Sequence, residues 1–227
     1  VHRLLKLLRH EAPYPDAAAA RIGLREGGGF HVFKIANGGA MGRLALGRVL
    51  GAPLTEGDEL EVGGTPERSG SLFLVQGERT AKQQTAQVGD VVAVAKLEGA
   101  RCGMVLPRKG ARCGAGAAPA FPPRNAAIAI TTRDRKDDVK LSTALHRLCE
   151  EDPALEWSQD DGTHETLLRG INEDHLAVVL GRLQRRYGVA VETRPPRVAY
   201  RESIRKPAAT RGRHKKQSGG HGQYGDC

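Results

Sequence analysis

The residues best suited to chemistry lie in the stretch RGRHKKQSGGHGQYGDC, residues 211–227. Fixed cations precede a run rich in glycine, and the first carboxylate of the stretch is Asp226. Cations neutralise phosphates, and glycine lets backbone N–H groups approach a polyanion closely. The composition therefore predicts a solvated tail, a linker, or a loop that lies against a negative partner. The fixed cations are Arg211, Arg213, Lys215 and Lys216.

A metal-dependent enzyme is one alternative for the same stretch, with His214, His221 and Cys227 as ligands. Their spacing matches no usual zinc pattern, and the neighbouring cations would repel a dication. We therefore expect no metal site. Elemental analysis of the purified chain for zinc and iron tests this expectation.

Other candidates for catalysis have simpler interpretations. The carboxylates Glu150, Glu151 and Asp152 could form an acid/base pair, but a helix end turning into solvent explains them better. His175 falls in the first turn of a predicted helix, where a surface or capping role is expected. The sequence has no G-x-x-x-x-G-K-[ST], G-x-G-x-x-G after a strand, H-E-x-x-H or G-x-S-x-G motif. We expect no catalytic residue in the chain.

Charge and composition narrow the class of protein. The formal net charge is +9 and the pI is about 9.7. Between residues 201 and 216, seven Lys or Arg face the single Glu202, which favours a polyphosphate partner. Aromatic residues are only 4%, which disfavours a base-stacking platform. We expect a cytoplasmic monomer without a membrane span or secretory signal, whose well-separated cysteines are reduced.

Hydrophobic periodicity predicts how these residues are positioned. Residues 1–10 fit one face of a short helix that Pro13 and Pro15 end, and a connection follows over residues 17–29. Five short apolar or alternating runs between residues 30 and 113 predict a small closed β-barrel. The runs are FHVFKIA, GRLALGRVL, DELEVGG, SLFLVQG and GDVVAVAKL. Residues 114–124, rich in Ala, Gly and Pro, predict a linker.

Residues 125–197 predict a different architecture, in the order strand, helix, strand, strand, helix, strand. The first helix begins near Asp137 and ends at Asp152-Pro153; the second begins after an Asn172 N-cap and ends at Gly188. With right-handed crossovers, this order is a ferredoxin-like βαββαβ sandwich. The fold class is therefore multidomain, β followed by α+β.

The chain resembles a known family over essentially all of its residues. VAYRESIRKPAATRGRHKKQSGGHGQYGD resembles the start of the fourth domain of elongation factor G, the GTPase that drives translocation on the ribosome, and especially its bacterial paralogues. LSTALHRLCEEDPALEW and ETLLRGINEDHLAVVLGRLQRRYGVAVETRPPRVAYRE are similar to the third domain. FHVFKIANGGAMGRLALGRVLGAPLTEGDEL and VGDVVAVAKL resemble the second, a barrel, and VHRLLKLLRHEAPYP the end of the GTP-binding domain.

The resemblance implies that the chain is an internal piece of a translational GTPase. It implies a helix and linker at the end of a GTP-binding domain (1–26), barrel domain II (27–113), a linker (114–124), domain III (125–197) and a partial strand with the basic loop of domain IV (198–227). The parent would use GTP and Mg²⁺, bind ribosomal RNA, and pack its GTP-binding domain on domains II and III. We expect the chain alone neither to bind nor to hydrolyse GTP, and to need no cofactor.

The resemblance also supplies candidate site residues. For RNA contact they are Arg213, His214, Lys215, Lys216, Gln217, Ser218, Gly219, Gly220, Gln223 and Tyr224. For coupling between domains they are Gly170, Asn172, Glu173 and His175, because the family's G-M-G-E-L-H-L aligns with residues 170–176. The substitutions there imply a divergent paralogue, with translocation, recycling or another ribosomal step as its task. A stand-alone basic RNA-binding protein is the alternative.

Overall fold

A computed structural model describes residues 1–38, 41–77, 79–113, 120–207, 209–216, 219–220 and 222–227. The chain divides into two compact units, Val1–Arg197 and Val198–Cys227. The first unit contains a β-rich segment, residues 24–113, and an α/β sandwich, residues 125–197. Most of the predicted linker, residues 114–119, lies outside the described residues.

The described chain contains four α-helices and eighteen strands. The helices are α1 (His2–Glu11), α2 (Pro15–Arg21), α3 (Asp138–Glu151), which a 3₁₀ helix (Arg135–Asp137) precedes, and α4 (Glu173–Tyr187). The strands are β1 (Leu24–Glu26), β2 (Gly29–Gly38), β3 (Gly42–Leu50), β4 (Leu54–Thr55), β5 (Glu59–Val62), β6 (Thr65–Arg68), β7 (Leu72–Gln76), β8 (Arg79–Gln83), β9 (Thr85–Ala86), β10 (Val91–Ala95), β11 (Val105–Pro107), β12 (Arg112–Cys113), β13 (Ala126–Thr132), β14 (Glu156–Gln159), β15 (Thr166–Gly170), β16 (Val191–Arg194), β17 (Arg213–Lys216) and β18 (Gln223–Asp226). Among the described residues, no helix has the length and apolar character that crossing a membrane requires.

The β-rich segment is built around one six-stranded sheet, in the order β11-β2-β3-β10-β7-β8. Short ladders β1-β12, β4-β9 and β5-β6 complete it. Alternate side chains of these strands enter one apolar core, in which Phe30, Ile35 and Leu72 are fully buried. Because strand side chains alternate between faces, the predicted alternating runs put one face into this core. Closure of the strands into a barrel stays a prediction.

The five predicted strands of this segment are confirmed as β2, β3, β5, β7 and β10. The sequence analysis missed strands with little apolar character, of which β8, sequence RTAKQ, is the clearest case. Its side chains are exposed except for the half-buried Gln83, so its residues show no apolar alternation. It forms anyway because its backbone pairs with β7 and ends the sheet.

Of two predictions about the N-terminal residues, one is confirmed and one is wrong. The predicted first helix is confirmed as α1, and its Leu side chains are 54–58% exposed. The prediction that residues 17–29 only connect two units is wrong, because they include most of α2 and all of β1. Pro15 does not merely end a helix: it occupies the first turn of α2, where its fixed φ and missing N–H cost nothing. Ala19 and Leu24 then pack on Leu50.

The α/β sandwich has the predicted order of strands and helices. Its sheet runs β14-β15-β13-β16, with every neighbouring pair antiparallel. Both helices place apolar residues in a second core, separate from that of the β-rich segment. The buried residues of α3 recur at helical spacing and are Leu141, Ala144, Leu145 and Leu148.

The helix ends of the sandwich follow the predicted capping residues. The Asn172 side chain accepts the His175 backbone N–H at 2.8 Å, and this bond caps α4. Gly188 ends α4 with φ 67°, a left-handed conformation that glycine adopts without steric cost. α3 ends at Glu151, and its C-cap Asp152 lies directly before Pro153, where the end was predicted.

The second unit differs from the partial strand predicted at its start. Residues 198–207 and 209–212 form no strand, and pairing occurs further along, where β17 and β18 form an antiparallel hairpin. The apolar residues at the start, such as Val198 and Ile204, are exposed. In the described unit they lack the buried face that would fix a strand there.

Candidate nucleic-acid interface

The terminal hairpin, residues 211–227, carries the predicted RNA-contact residues. Its register pairs Arg213 with Asp226 and Lys215 with Tyr224 on one face, since strand residues two apart share a face. His214 and Lys216, paired with Gly225 and Gln223, lie on the other. The side chains of both strands are exposed. The hairpin therefore presents cations on both faces.

An ion pair and two backbone hydrogen bonds fix the base of the hairpin. Arg211 donates from Nε and Nη2 to the two oxygens of Asp226, at 2.6 and 2.5 Å. Gly212 and Cys227 exchange backbone hydrogen bonds of 2.7 and 2.9 Å. Hydrogen bonds from Arg211, and then from Tyr224, hold the pKa of the Asp226 carboxyl below its usual range. The one carboxylate of the stretch is thus neutralised locally, and the other cations stay available.

Two described glycines lie at the tip of the hairpin. Gly219 and Gly220 have φ values of 70° and 54°, in the left-handed region that favours glycine. A Cβ added at either residue, or at Gly225, would meet no atom within 4 Å. On the stem, the Arg213 guanidinium lies 5.6 Å from the centroid of the Tyr224 ring, a cation–π contact. At these glycines, the described atoms leave room beside the backbone.

The structure brings most predicted RNA-contact residues onto this one hairpin. Gln217 and Ser218 lie outside the described residues, and so does His221 of the alternative metal site. Within the part of the chain that is described, no group of three or more His, Cys, Asp or Glu side chains could hold a metal ion. RNA contact itself stays a prediction.

The four predicted coupling residues lie together where β15 passes into α4. His175 Nδ1 accepts the Ile171 N–H at 3.1 Å, and Nε2 is hydrogen-bonded to Asp152 Oδ2, 2.9 Å away. A Cβ on Gly170 would lie 2.8 Å from His175 Nδ1. Glu173 is exposed in the first turn of α4. These contacts are all within the sandwich, and coupling to another domain stays a prediction.

The interpretation of Glu150, Glu151 and Asp152 as a solvated helix end is wrong. Glu150 Oε1 lies 3.2 Å from Arg43 Nε of the β-rich segment. Glu151 Oε2 lies 2.7 Å from Arg186 Nη1 of α4. Asp152 is hydrogen-bonded to His175. The Glu151 side chain is only 11% exposed. No local sequence signal could reveal the Arg43 contact, because that partner lies 107 residues away along the chain.

Comparison with known proteins identifies the class. Residues 121–195 match the model of elongation factor G domain III, and residues 196–227 match that of domain IV. An "Elongation factor G-like protein" of Synechocystis sp. is 39% identical over all of this chain and 33% of its own length. "Elongation factor G 2" of Photobacterium profundum is 35% identical over 81% of this chain and 27% of its own length.

A crystal structure from Thermus thermophilus has a TM-score of 0.78 and 37% identity, and it covers 99% of this chain and 33% of its own. Fold and matched domains together define a protein of the translation elongation factor class. The chain belongs to the elongation factor G family. It spans about a third of the length of the curated relatives it matches.

Proposed function

We propose that this chain is the ribosome-contacting and coupling part of a translational GTPase, and that its terminal hairpin binds ribosomal RNA. The observation that carries the proposal is the hairpin. Its paired strands, joined at the base by the Arg211–Asp226 ion pair, carry fixed cations, and glycines lie at the tip. Guanidinium and ammonium groups bind phosphate oxygens, and a glycine tip lets backbone N–H groups bind them too. A preformed stem also lowers the entropy lost on binding.

The upstream parts would position and move this hairpin. In this proposal the β-rich segment closes as a barrel that docks on small-subunit RNA, and the ferredoxin-like sandwich relays the nucleotide state by changing its orientation. The family resemblance supports these roles and assigns GTP and Mg²⁺ to another domain. The sequence has no phosphate-loop motif, and the described residues include no group of three or more His, Cys, Asp or Glu that could hold a metal ion. The parent would use the cycle for translocation or a related ribosomal step.

Ribosome binding by the 227-residue chain tests the proposal. Binding to purified small ribosomal subunits is measured at several salt concentrations for the natural chain and for Lys215→Gln/Lys216→Gln. We expect weaker binding of the variant and a log–log salt slope smaller by roughly one and a half, because two phosphate contacts are lost.

The matched control is Lys136→Gln/Lys140→Gln, which removes the same charge from exposed lysines beside and on α3. This control should bind as the natural chain does. Equal losses of ribosome binding in both variants would show that only the net charge of the chain matters. Absence of binding by the natural chain, even at low ionic strength, would overturn the proposal.

A further inference from the structure

The contact between the β-rich segment and the sandwich is polar. Each of the two parts has its own apolar core, and the residues of the two clusters do not mix. A cavity of about 790 Å³ lies at the contact, lined from both sides by residues such as Asn37, Arg43 and Trp157. A second, of about 460 Å³, shares Arg43 and Trp157. Among the described residues, directional hydrogen bonds and an ion pair between the cavities therefore join the two parts.

Among the described residues, Asn37, near the end of β2, makes the most hydrogen bonds across this junction. Its backbone N–H donates to Glu151 Oε1 at 2.8 Å, and its backbone carbonyl accepts from Arg186 Nη2 at 2.8 Å. Its side-chain amide donates to the Arg147 carbonyl at 3.3 Å. Both main-chain polar groups of one strand residue are thus satisfied by the sandwich.

Two ion pairs surround Asn37. Glu151 receives two hydrogen bonds from Arg186, at 2.7 and 3.1 Å, and these bonds raise the pKa of the guanidinium. Arg43 Nε donates a hydrogen bond to Glu150 Oε1 at 3.2 Å. The same guanidinium also donates to the carbonyls of Leu97 and Ala100. The Arg43 side chain is only 10% exposed, so water screens this pair less than a surface pair.

We propose that these residues form a latch that holds the β-rich segment and the sandwich in one orientation, and that its opening is the step that frees the sandwich to rotate. The latch consists of Asn37, Arg43, Glu150, Glu151 and Arg186. The latch has only five residues, and their contacts are hydrogen bonds and ion pairs. It therefore opens without exposing an apolar core. Glu151 is the central residue because it joins α3, α4 and β2. The latch does not depend on ribosome binding, whereas the rotation that it frees rests on the proposed function.

Hydrogen exchange of the Asn37 amide in the free chain tests the latch. This N–H donates across the junction, so its exchange rate reports junction opening. In Glu151→Ala we expect it to exchange at least about tenfold faster, because a charge-assisted hydrogen bond is lost. The amides of the β3–β10 ladder should keep their rates. Glu151→Gln, which keeps an acceptor oxygen and loses the charge, should lie between.

The matched control is Glu192→Ala, which removes a carboxylate from an exposed ion pair with Arg133 on the same sandwich. It should leave Asn37 exchange unchanged. Residual dipolar couplings give a second readout: one alignment tensor should fit both parts of the natural chain, and two should be needed for Glu151→Ala. Unchanged Asn37 exchange in Glu151→Ala, or a single tensor for that variant, would overturn the proposal. If Glu151→Ala does not fold, Glu151→Gln and Arg186→Gln carry the same test.

Discussion

At the scale of single residues, Cys149 on α3 shows how the fold changes ordinary chemistry. Burial raises the pKa of its thiol to about 11, from a usual value near 9. Burial also raises the pKa of Cys102, whose thiol lines the same cavity at the junction. Both residues therefore stay protonated at neutral pH, when a thiol is a poor nucleophile.

This environment predicts the pH dependence of Cys149 alkylation. At about pH 7.5 we expect iodoacetamide to modify the exposed Cys227 long before Cys149, whose thiolate fraction is reduced about a hundredfold by two pKa units. The Cys149 rate should keep rising up to about pH 11. A raised pKa means that the stabilising contribution of the neutral thiol is complete below pH 9 and is lost as pH rises towards 11. Peptide mass spectrometry gives the rates, and equal rates for the two cysteines at neutral pH would contradict this account.

Some single residues were predictable and others were not. Asn172 and Gly188 act through the backbone next to them, so their residue types were enough to predict their capping roles. Glu150 and Glu151 acquire their roles from Arg43, Arg186 and Asn37, which the fold brings together from distant parts of the sequence. The sequence analysis therefore missed the junction, although it singled out its carboxylates.

At the scale of elements, the passage from β15 into α4 depends on one small residue. Gly170 is buried, and an added Cβ would lie 2.8 Å from His175 Nδ1 and 2.9 Å from Leu176 Cδ2. Both neighbours are themselves held, His175 by Ile171 and Asp152, and Leu176 by the core. The strand and the helix could admit a methyl group only by moving apart.

We therefore expect Gly170→Ala to lower the free energy of unfolding by about 1–3 kcal/mol, as overpacking does. Gly181→Ala is the control, because its Cβ would meet only the flexible end of Arg185, at 3.0 Å, inside α4. There the change should stabilise by about 0.5–1 kcal/mol, since alanine favours helix. Urea unfolding of the two variants measures both effects. A loss of stability in Gly181→Ala equal to that in Gly170→Ala would refute the steric explanation.

Elements with strong periodicity were predicted, and polar or very short ones were not. α3 and α4 repeat apolar residues at helical spacing, and β2 and β10 contain clear apolar runs. β8 has no such pattern, and strands of two residues such as β4 are too short to show one. The basic, glycine-rich composition predicted an exposed segment, but not that its stem forms paired strands.

At the scale of the whole molecule, the described chain has two separate apolar cores and a terminal hairpin, and the predicted domain bounds stay predictions. Barrel closure and the monomeric state stay predictions. Family membership rests on matches to domains III and IV together with relatives that align along the chain.

The whole chain should show no GTP hydrolysis by itself. Its sequence contains no G-x-x-x-x-G-K-[ST] motif to hold the phosphates. Phosphate release from GTP, measured with and without ribosomes, should stay at background. An intact relative with its GTP-binding domain is the positive control, and turnover by the pure chain would refute the expectation.

The outer strand β8 has a consequence for how the protein behaves at high concentration. The free edge of a sheet can recruit strands from neighbouring molecules and start amyloid-like growth. Among the described residues β8 is the outer strand of its sheet, and it carries Arg79 and Lys82. Lys82 pairs with Glu56 at 3.3 Å, so it is chiefly the Arg79 charge that repels the same charge on an approaching copy. The same polar residues that gave no periodic signal thus disfavour edge-to-edge pairing of two copies.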